Sequence, residues 1–227
     1  MLIAEELLLL CLDDATGTYR LSMERIDPAL GAALLMELSL LGRVAVAPAA
    51  DGWRDRGSVR LLSVEPTGDA ELDRALRAVA ARQGQRATSL ISSMSFRRIT
   101  QGLRRRLLER LVTDGVLARR QERLARILPR SVWPAADPAP QRLLRERVHS
   151  LLTGQSSAAD DRTVALVCLL QATGSLSAVV PAAARAAVLA RAEALAEGSW
   201  ATTAVRQAIR EVRAAQVGVT SGGVGGD

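Results

Sequence analysis

Pro28-Ala29-Leu30-Gly31-Ala32-Ala33-Leu34-Leu35-Met36-Glu37-Leu38-Ser39-Leu40-Leu41-Gly42 is the stretch that decides the fold class. Leu30, Leu34, Leu35, Leu38 and Leu41 recur at helical spacing, Pro28 suits a first helical turn, and Gly42 is a stop. Two short β-branched stretches follow, Arg43 to Ala47 and Ser58 to Val64, around a polar loop containing Asp51-Gly52. They read as a hairpin from Arg43 to Val64. The same order returns later. Leu107, Leu108, Leu111, Gly115 and Leu117 repeat the spacing of Leu34, Leu35, Leu38, Gly42 and Val44, which predicts a second hairpin from Leu117 to Trp133.

Working outward, Leu7, Leu8, Cys11 and Leu12 form an apolar stripe that stops at the turn Asp13-Asp14-Ala15-Thr16-Gly17. Asp69 is placed to cap a helix with Leu72, Leu76 and Val79 on one face. A long basic helix is predicted from about Ser95 to Thr113, and the chain reads as helical from Pro140 through Val217. Val164 to Ala184 is uncharged and long enough to span a bilayer. Gln171, Thr173, Gly174, Ser175 and Ser177 interrupt it, however, and Pro181 resembles a helix start, so it reads as two buried helices joined at Gly174-Ser175. The N-terminal apolar run is short and acidic at its flank, unlike a secretory signal. The expectation is a soluble, cytoplasmic, mainly α protein. It comprises a single helical-bundle domain over 1–217 with two short β-hairpins, followed by a flexible Gly-rich tail over 218–227.

The 227 residues are 48% hydrophobic and 24% charged, a globular balance. All 30 side-chain cations other than His149 are Arg, with no Lys. Aromatic residues make up only 2%, too few for base-stacking platforms. Cys11 and Cys168 sit far apart in apolar runs and read as buried thiols, and His149 is the only histidine. No disulfide framework, metal site or Ser-His-Asp triad is visible, nor a Gly-rich phosphate loop, so neither a cofactor nor enzymatic activity is expected. Asp13-Asp14 and Asp160-Asp161 read as turns and helix termini.

Charge is unevenly distributed. Residues 1–94 carry net −3, residues 95–130 net +8 and residues 131–227 net +1. On a wheel of the basic helix, Ile99, Leu103, Leu107 and Leu111 form the buried stripe. Arg97, Arg98, Gln101, Arg104 and Arg105 then share the opposite, solvent-facing arc, while Arg106 and Arg110 fall at the edge of the buried stripe, where salt bridges to other elements are expected. Like charges on one face repel, and planar guanidinium suits phosphate oxygens, so this face reads as an anion site. Downstream, Ile127, Leu128, Val132 and Trp133 crowd a predicted hairpin tip. Such a tip suits either insertion into a membrane interface or docking on another subunit, the alternative being that it folds back onto the core.

Four stretches together carry a resemblance. They are Glu5 through Asp14, then Gly31 to Gly42 with Leu34, Glu37 and Leu38, then Pro66-Thr67-Gly68-Asp69 with Leu72, then Leu107 to Leu117 ending in Thr113-Asp114-Gly115-Val116-Leu117. In this order and spacing the chain, from about residue 2 to 213, resembles the Golgi phosphoprotein 3 family in its bacterial branch. The resemblance implies a mostly helical domain that binds phosphatidylinositol 4-phosphate at the cytosolic face of a membrane, as a peripheral protein. In eukaryotic members it also implies retention of glycosyltransferases as protein cargo. The family's headgroup pocket uses a Trp, an Arg beside the second helix, and two Arg three apart on the basic helix. Here the second basic-helix Arg falls on Arg104 and the first on Gln101, while the Trp falls near Ser22 and the remaining Arg near Gly31. Arg97, Arg98 and Arg105 are the cations available to compensate, and Tyr19, Arg20 and Arg25 stand near the vacated positions. The family's hydrophobic hairpin, used in membrane insertion or self-association to a homo-oligomer, corresponds to Ile127 to Trp133.

The leading expectation is therefore an anionic phospholipid headgroup bound by the Arg face. The alternative is a winged-helix-like nucleic-acid binder, because helix, Gly stop and hairpin occur twice. Against it, the arginines lack the mixture of Asn, Gln and Ser that reads base edges, Gln101 excepted.

Overall fold

The computed structural model describes residues 1–47, 57–93, 102–124, 128–155, 160–176, 185–197, 201, 202 and 206. Among them the chain runs α1 (Ile3–Cys11), α2 (Met23–Leu40), β1 (Val44–Val46), β2 (Val59–Leu61), α3 (Ala70–Ala80), α4 (Ala87–Ser92), α5 (Leu103–Thr113), β3 (Arg120–Leu124), β4 (Leu128–Val132), α6 (Ala139–Thr153), α7 (Asp161–Thr173) and α8 (Arg185–Ala196). The protein is mainly α, with two separate two-stranded antiparallel sheets, β1–β2 and β3–β4. The expected Gly-rich tail lies outside the described residues.

Helix α1 is the axis. All nine of its residues are buried, and it packs on α2, α5, α6 and α7. A helix apolar nearly all round is stable only when covered on every side, which is why four leucines in a row make a core element here. Its two carboxylates are the exception, and buried charge must be paired. Glu5 meets Arg110 of α5 at 2.5 Å; Glu6 meets Arg147 of α6 at 3.4 Å and Arg162 of α7 at 3.6 Å. Arg162 also pairs with Glu37 of α2, whose second oxygen accepts the Ile3 N–H at 2.7 Å. Three guanidiniums from surrounding helices thus clasp the N-terminal half of the central one.

Helix α2 starts at Met23, five residues before Pro28, so Pro28 lies inside it rather than opening it. Its missing N–H removes the i→i−4 bond to Glu24, the ordinary cost of a proline past the first turn. The two helix-to-hairpin passages are alike in detail. The Arg43 N–H returns to the Leu38 carbonyl at 2.9 Å, and the Val116 N–H to the Leu111 carbonyl at 2.9 Å. Each passage leads into an antiparallel pair, Val44↔Leu61 to Val46↔Val59 and Arg120↔Val132 to Leu124↔Leu128. Asp69 caps α3 by accepting the Glu71 and Leu72 N–H groups, and Asp160 caps α7. Helix α7 stops at Gly174, and both cysteines are free and buried. The expected helix start at Pro181 lies outside the described residues.

Several of these caps and pairs depend on ionised carboxylates. The Thr16 N–H and hydroxyl hold Asp13 below its ordinary pKa, and the Thr67 N–H and hydroxyl do the same for Asp73. Burial pushes Glu71 up, but hydrogen bonds and charge from Arg106 and Arg74 outweigh it, and its pKa is also lowered. A carboxylate depressed on folding contributes stability that is complete above its unfolded pKa and lost as pH falls through the folded value. The thermal midpoint is therefore expected to be flat between pH 7 and 5 and to drop once pH passes below about 4. A midpoint that held level to pH 2.5 would contradict this.

Candidate functional site

Helix α5 begins at Leu103, because Gly102 stands in the left-handed region with φ +75°. The predicted wheel from about Ser95 cannot be carried through such a residue, so the single continuous face is corrected to one starting at Leu103. Arg97, Arg98, Ile99 and Gln101 lie outside the described residues. Leu103, Leu107 and Leu111 are buried as expected, against the α1 side of the bundle.

The four arginines of α5 divide by position. Arg106 donates to both oxygens of Glu71 at 2.7 and 2.8 Å, and Arg110 bridges Glu5 at 2.5 Å and Asp69 at 2.6 Å. These are the edge positions where salt bridges are expected. Arg105 is 74% exposed, with Glu109 one turn away at 3.5 Å. Arg104 is not free in solvent. Its Nη1 lies 2.6 Å from Asp27 Oδ1 on α2, and its guanidinium sits over the Tyr19 ring at 5.7 Å. The described part of the face therefore differs from the acid-free surface expected, because Asp27 of α2 and Glu109 of α5 itself stand against Arg104 and Arg105.

Tyr19 reaches the site through the turn at 13–17. The Asp13 carboxylate accepts the Thr16 N–H at 2.9 Å, the Asp13 N–H donates to the Thr18 carbonyl at 2.9 Å, and Leu12 bridges Tyr19. The ring is thereby folded back beside the end of α1. Burial, opposed by the Arg104 charge and reinforced by Asp27, pushes the Tyr19 phenol up to about 12, so it stays neutral. Of the other residues near the vacated pocket positions, Arg20 pairs with Asp13 at 2.9 Å, and Arg25 donates to the Thr173 carbonyl at 3.3 Å. Asp27 is not legible in the sequence as part of this site. Its spacing to Arg104 is 77 residues, and nothing local marks it.

The apolar tip is also revised. The β3–β4 register runs from Arg120↔Val132 to Leu124↔Leu128, so Leu124 and Leu128 stand at the end away from the Val132 pair. Ile127 lies outside the described residues and Leu128 opens β4 at that end. Val132 and Trp133 are at the opposite end, where the strands meet the core, with exposures of 1% and 5%. They are not available for membrane insertion, and a Trp133→Ser change is a core lesion. Arg119 covers the Trp133 ring at 5.6 Å. Arg119 and Arg120 are exposed, and neither they nor Arg130 has an ion pair among the described residues. The positive excess left after pairing therefore extends to the foot of this hairpin.

An open cleft of about 440 Å³ lies elsewhere, lined in part by Met1, Leu2, Glu5, Asp69, Arg110 and Asp114. Three carboxylates against one guanidinium give it the wrong sign for a phosphate. No helix among the described residues is long and apolar enough to cross a membrane.

No curated protein matches the chain at a significant level. The family model described as Golgi phosphoprotein 3 (GPP34) matches residues 3–212. That span takes in α1, the α2 and α5 passages into their hairpins, and the Tyr19–Asp27–Arg104 group, and the chain belongs to the Golgi phosphoprotein 3 family.

Proposed function

We propose that the protein is a peripheral membrane protein that binds an anionic phospholipid headgroup, phosphatidylinositol 4-phosphate or a bacterial equivalent, at the cytosolic membrane face. The observation that carries this reading is Arg104. It is the one residue matching the family's headgroup pocket, and it is held against an aromatic ring where the family has a Trp nearby. A guanidinium braced on a ring loses less rotamer freedom on binding phosphate than a free one. Exposed Arg105, Arg119 and Arg120 supply the attraction toward an anionic surface that steers approach. The role is binding rather than catalysis, with cargo or self-association as further functions of the family. No structural observation among the described residues favours the nucleic-acid alternative.

Charge reversal at Arg104 and Arg105 tests the reading by flotation with vesicles of phosphatidylcholine containing either phosphatidylglycerol or phosphatidylinositol 4-phosphate. The double variant is expected to lose at least tenfold in affinity for both. Because reversal at Arg104 also sets a carboxylate against Asp27, the fold of the double variant is checked by its thermal midpoint before flotation is read. Flotation equal to the parent's would overturn the site.

A further inference from the structure

Arg104 already holds an anion, the Asp27 carboxylate. We propose that Asp27 is the specificity-determining residue of this site, an internal occupant of the Arg104 guanidinium that a headgroup phosphate must displace. The inference rests on the reading of Arg104 as the phosphate ligand.

Three features of the geometry support it. Asp27 Oδ1 and Arg104 Nη1 are 2.6 Å apart, the distance of a charge-assisted hydrogen bond, so the guanidinium edge facing α2 is taken. The Asp27 side chain is 44% exposed and Arg104 29%, so the pair lies at the surface, where a ligand can exchange for the carboxylate. A guanidinium donates its hydrogen bonds from its edges, Tyr19 covers one of its faces, and Asp27 occupies one edge. A carboxylate there raises the threshold for any anion. A phosphodiester such as phosphatidylglycerol brings one negative charge and competes on near-equal terms with it. A phosphomonoester brings close to two at neutral pH and three terminal oxygens, and prevails. The parent is therefore expected to discriminate between lipids that bare electrostatics would treat alike.

The test compares the parent, Asp27→Asn, Glu24→Gln, Arg104→Gln and the double variant Asp27→Asn with Arg104→Gln. Probes are phosphatidylcholine vesicles carrying either phosphatidylglycerol, a diester, or phosphatidic acid, a monoester. Asp27→Asn is expected to bind phosphatidylglycerol vesicles about tenfold more tightly, the equivalent of one lost charge competitor. Its gain on phosphatidic acid should be smaller, so that discrimination narrows. Glu24→Gln makes the same change in net charge one turn earlier on α2, and should behave as the parent. The gain should vanish when Arg104 is already Gln. If Asp27→Asn, folded by thermal midpoint, binds no more tightly than a parent that does bind, the inference falls and the headgroup reading stands. A gain equal to that of Glu24→Gln, or one that persists without Arg104, also overturns it. If neither parent nor Asp27→Asn binds either vesicle, both readings fail together.

Discussion

Gly17→Ala is expected to cost about 4 kcal/mol or more, enough to unfold a protein of ordinary marginal stability at modest denaturant. The turn that delivers Tyr19 lies directly against the foot of the second hairpin. A Cβ built on Gly17 falls 2.1 Å from the Pro134 nitrogen and 2.2 Å from the Trp133 carbonyl carbon, both main-chain atoms that no rotamer change can move. The Gly17 carbonyl accepts the Trp133 N–H at 3.0 Å, and the Asp14 carbonyl accepts the Ala135 N–H at 2.9 Å. Relieving the clash means separating these segments. That costs two hydrogen bonds of about 1 kcal/mol each and about 2 kcal/mol of Trp133 burial, besides the penalty for an alanine at φ +66°. Gly42 is the internal control. It has nearly the same backbone conformation, φ +64°, with nothing within 4 Å of a built Cβ, so Gly42→Ala should cost only the left-handed backbone penalty of about 1 kcal/mol. Urea unfolding of the two variants separates clash from conformation. Equal losses would mean that the 13–17 turn does not pack on 133–135 in solution.

That contact also shows where sequence reading reaches its limit. The Leu38 to Gly42 and Leu111 to Gly115 passages are written in adjacent residues, and both are found with the same returning hydrogen bond. The caps at Asp69 and Asp160 are equally local. Gly17 marks a turn in the sequence, but that the turn docks on residues 133–135 is a fact of tertiary structure. The same distance hides Asp27 from Arg104. Wheel position correctly puts Arg105 outward and Arg106 and Arg110 at a salt-bridging edge, but Arg104, expected beside Arg105, is only 29% exposed and paired across to α2, and the partners Glu71, Glu5 and Asp69 also come from other elements. Trp133 was misplaced for a different reason. Which end of a hairpin a residue occupies is set by register, and the Arg120↔Val132 pair puts Trp133 at the end opposite the Leu124↔Leu128 pair. Gly102 carried an available signal, since an isolated Gly in a helical pattern lowers the case for continuing the helix through it.

Arg110→Met is expected to cost about 3 kcal/mol, near the low end for breaking a buried ion pair because Arg110 itself is 34% exposed. The penalty falls on the partner left behind. Glu5 is 3% exposed in its side chain and sits on α1, which has no solvent-facing side. Its Oε2 is committed to the Leu2 N–H at 2.6 Å, which fixes the carboxylate in place. Methionine fills most of the volume of the arginine stem, so the lesion is electrostatic rather than a cavity. Asp69 loses its ion pair too, but it is 22% exposed and keeps its cap bonds to the Glu71 and Leu72 N–H groups. Adding Glu5→Gln to Arg110→Met removes the stranded charge and should recover more than half of the loss. Two buried charges replaced together are often nearly neutral, whereas one removed alone is not. A double variant no more stable than Arg110→Met would show that Arg110 acts through Asp69 and the start of α3. In either case the bridge ties the inner edge of α5 to α1 and α3. It thereby fixes the rotation that leaves Arg105 outward and brings Arg104 against Tyr19 and Asp27.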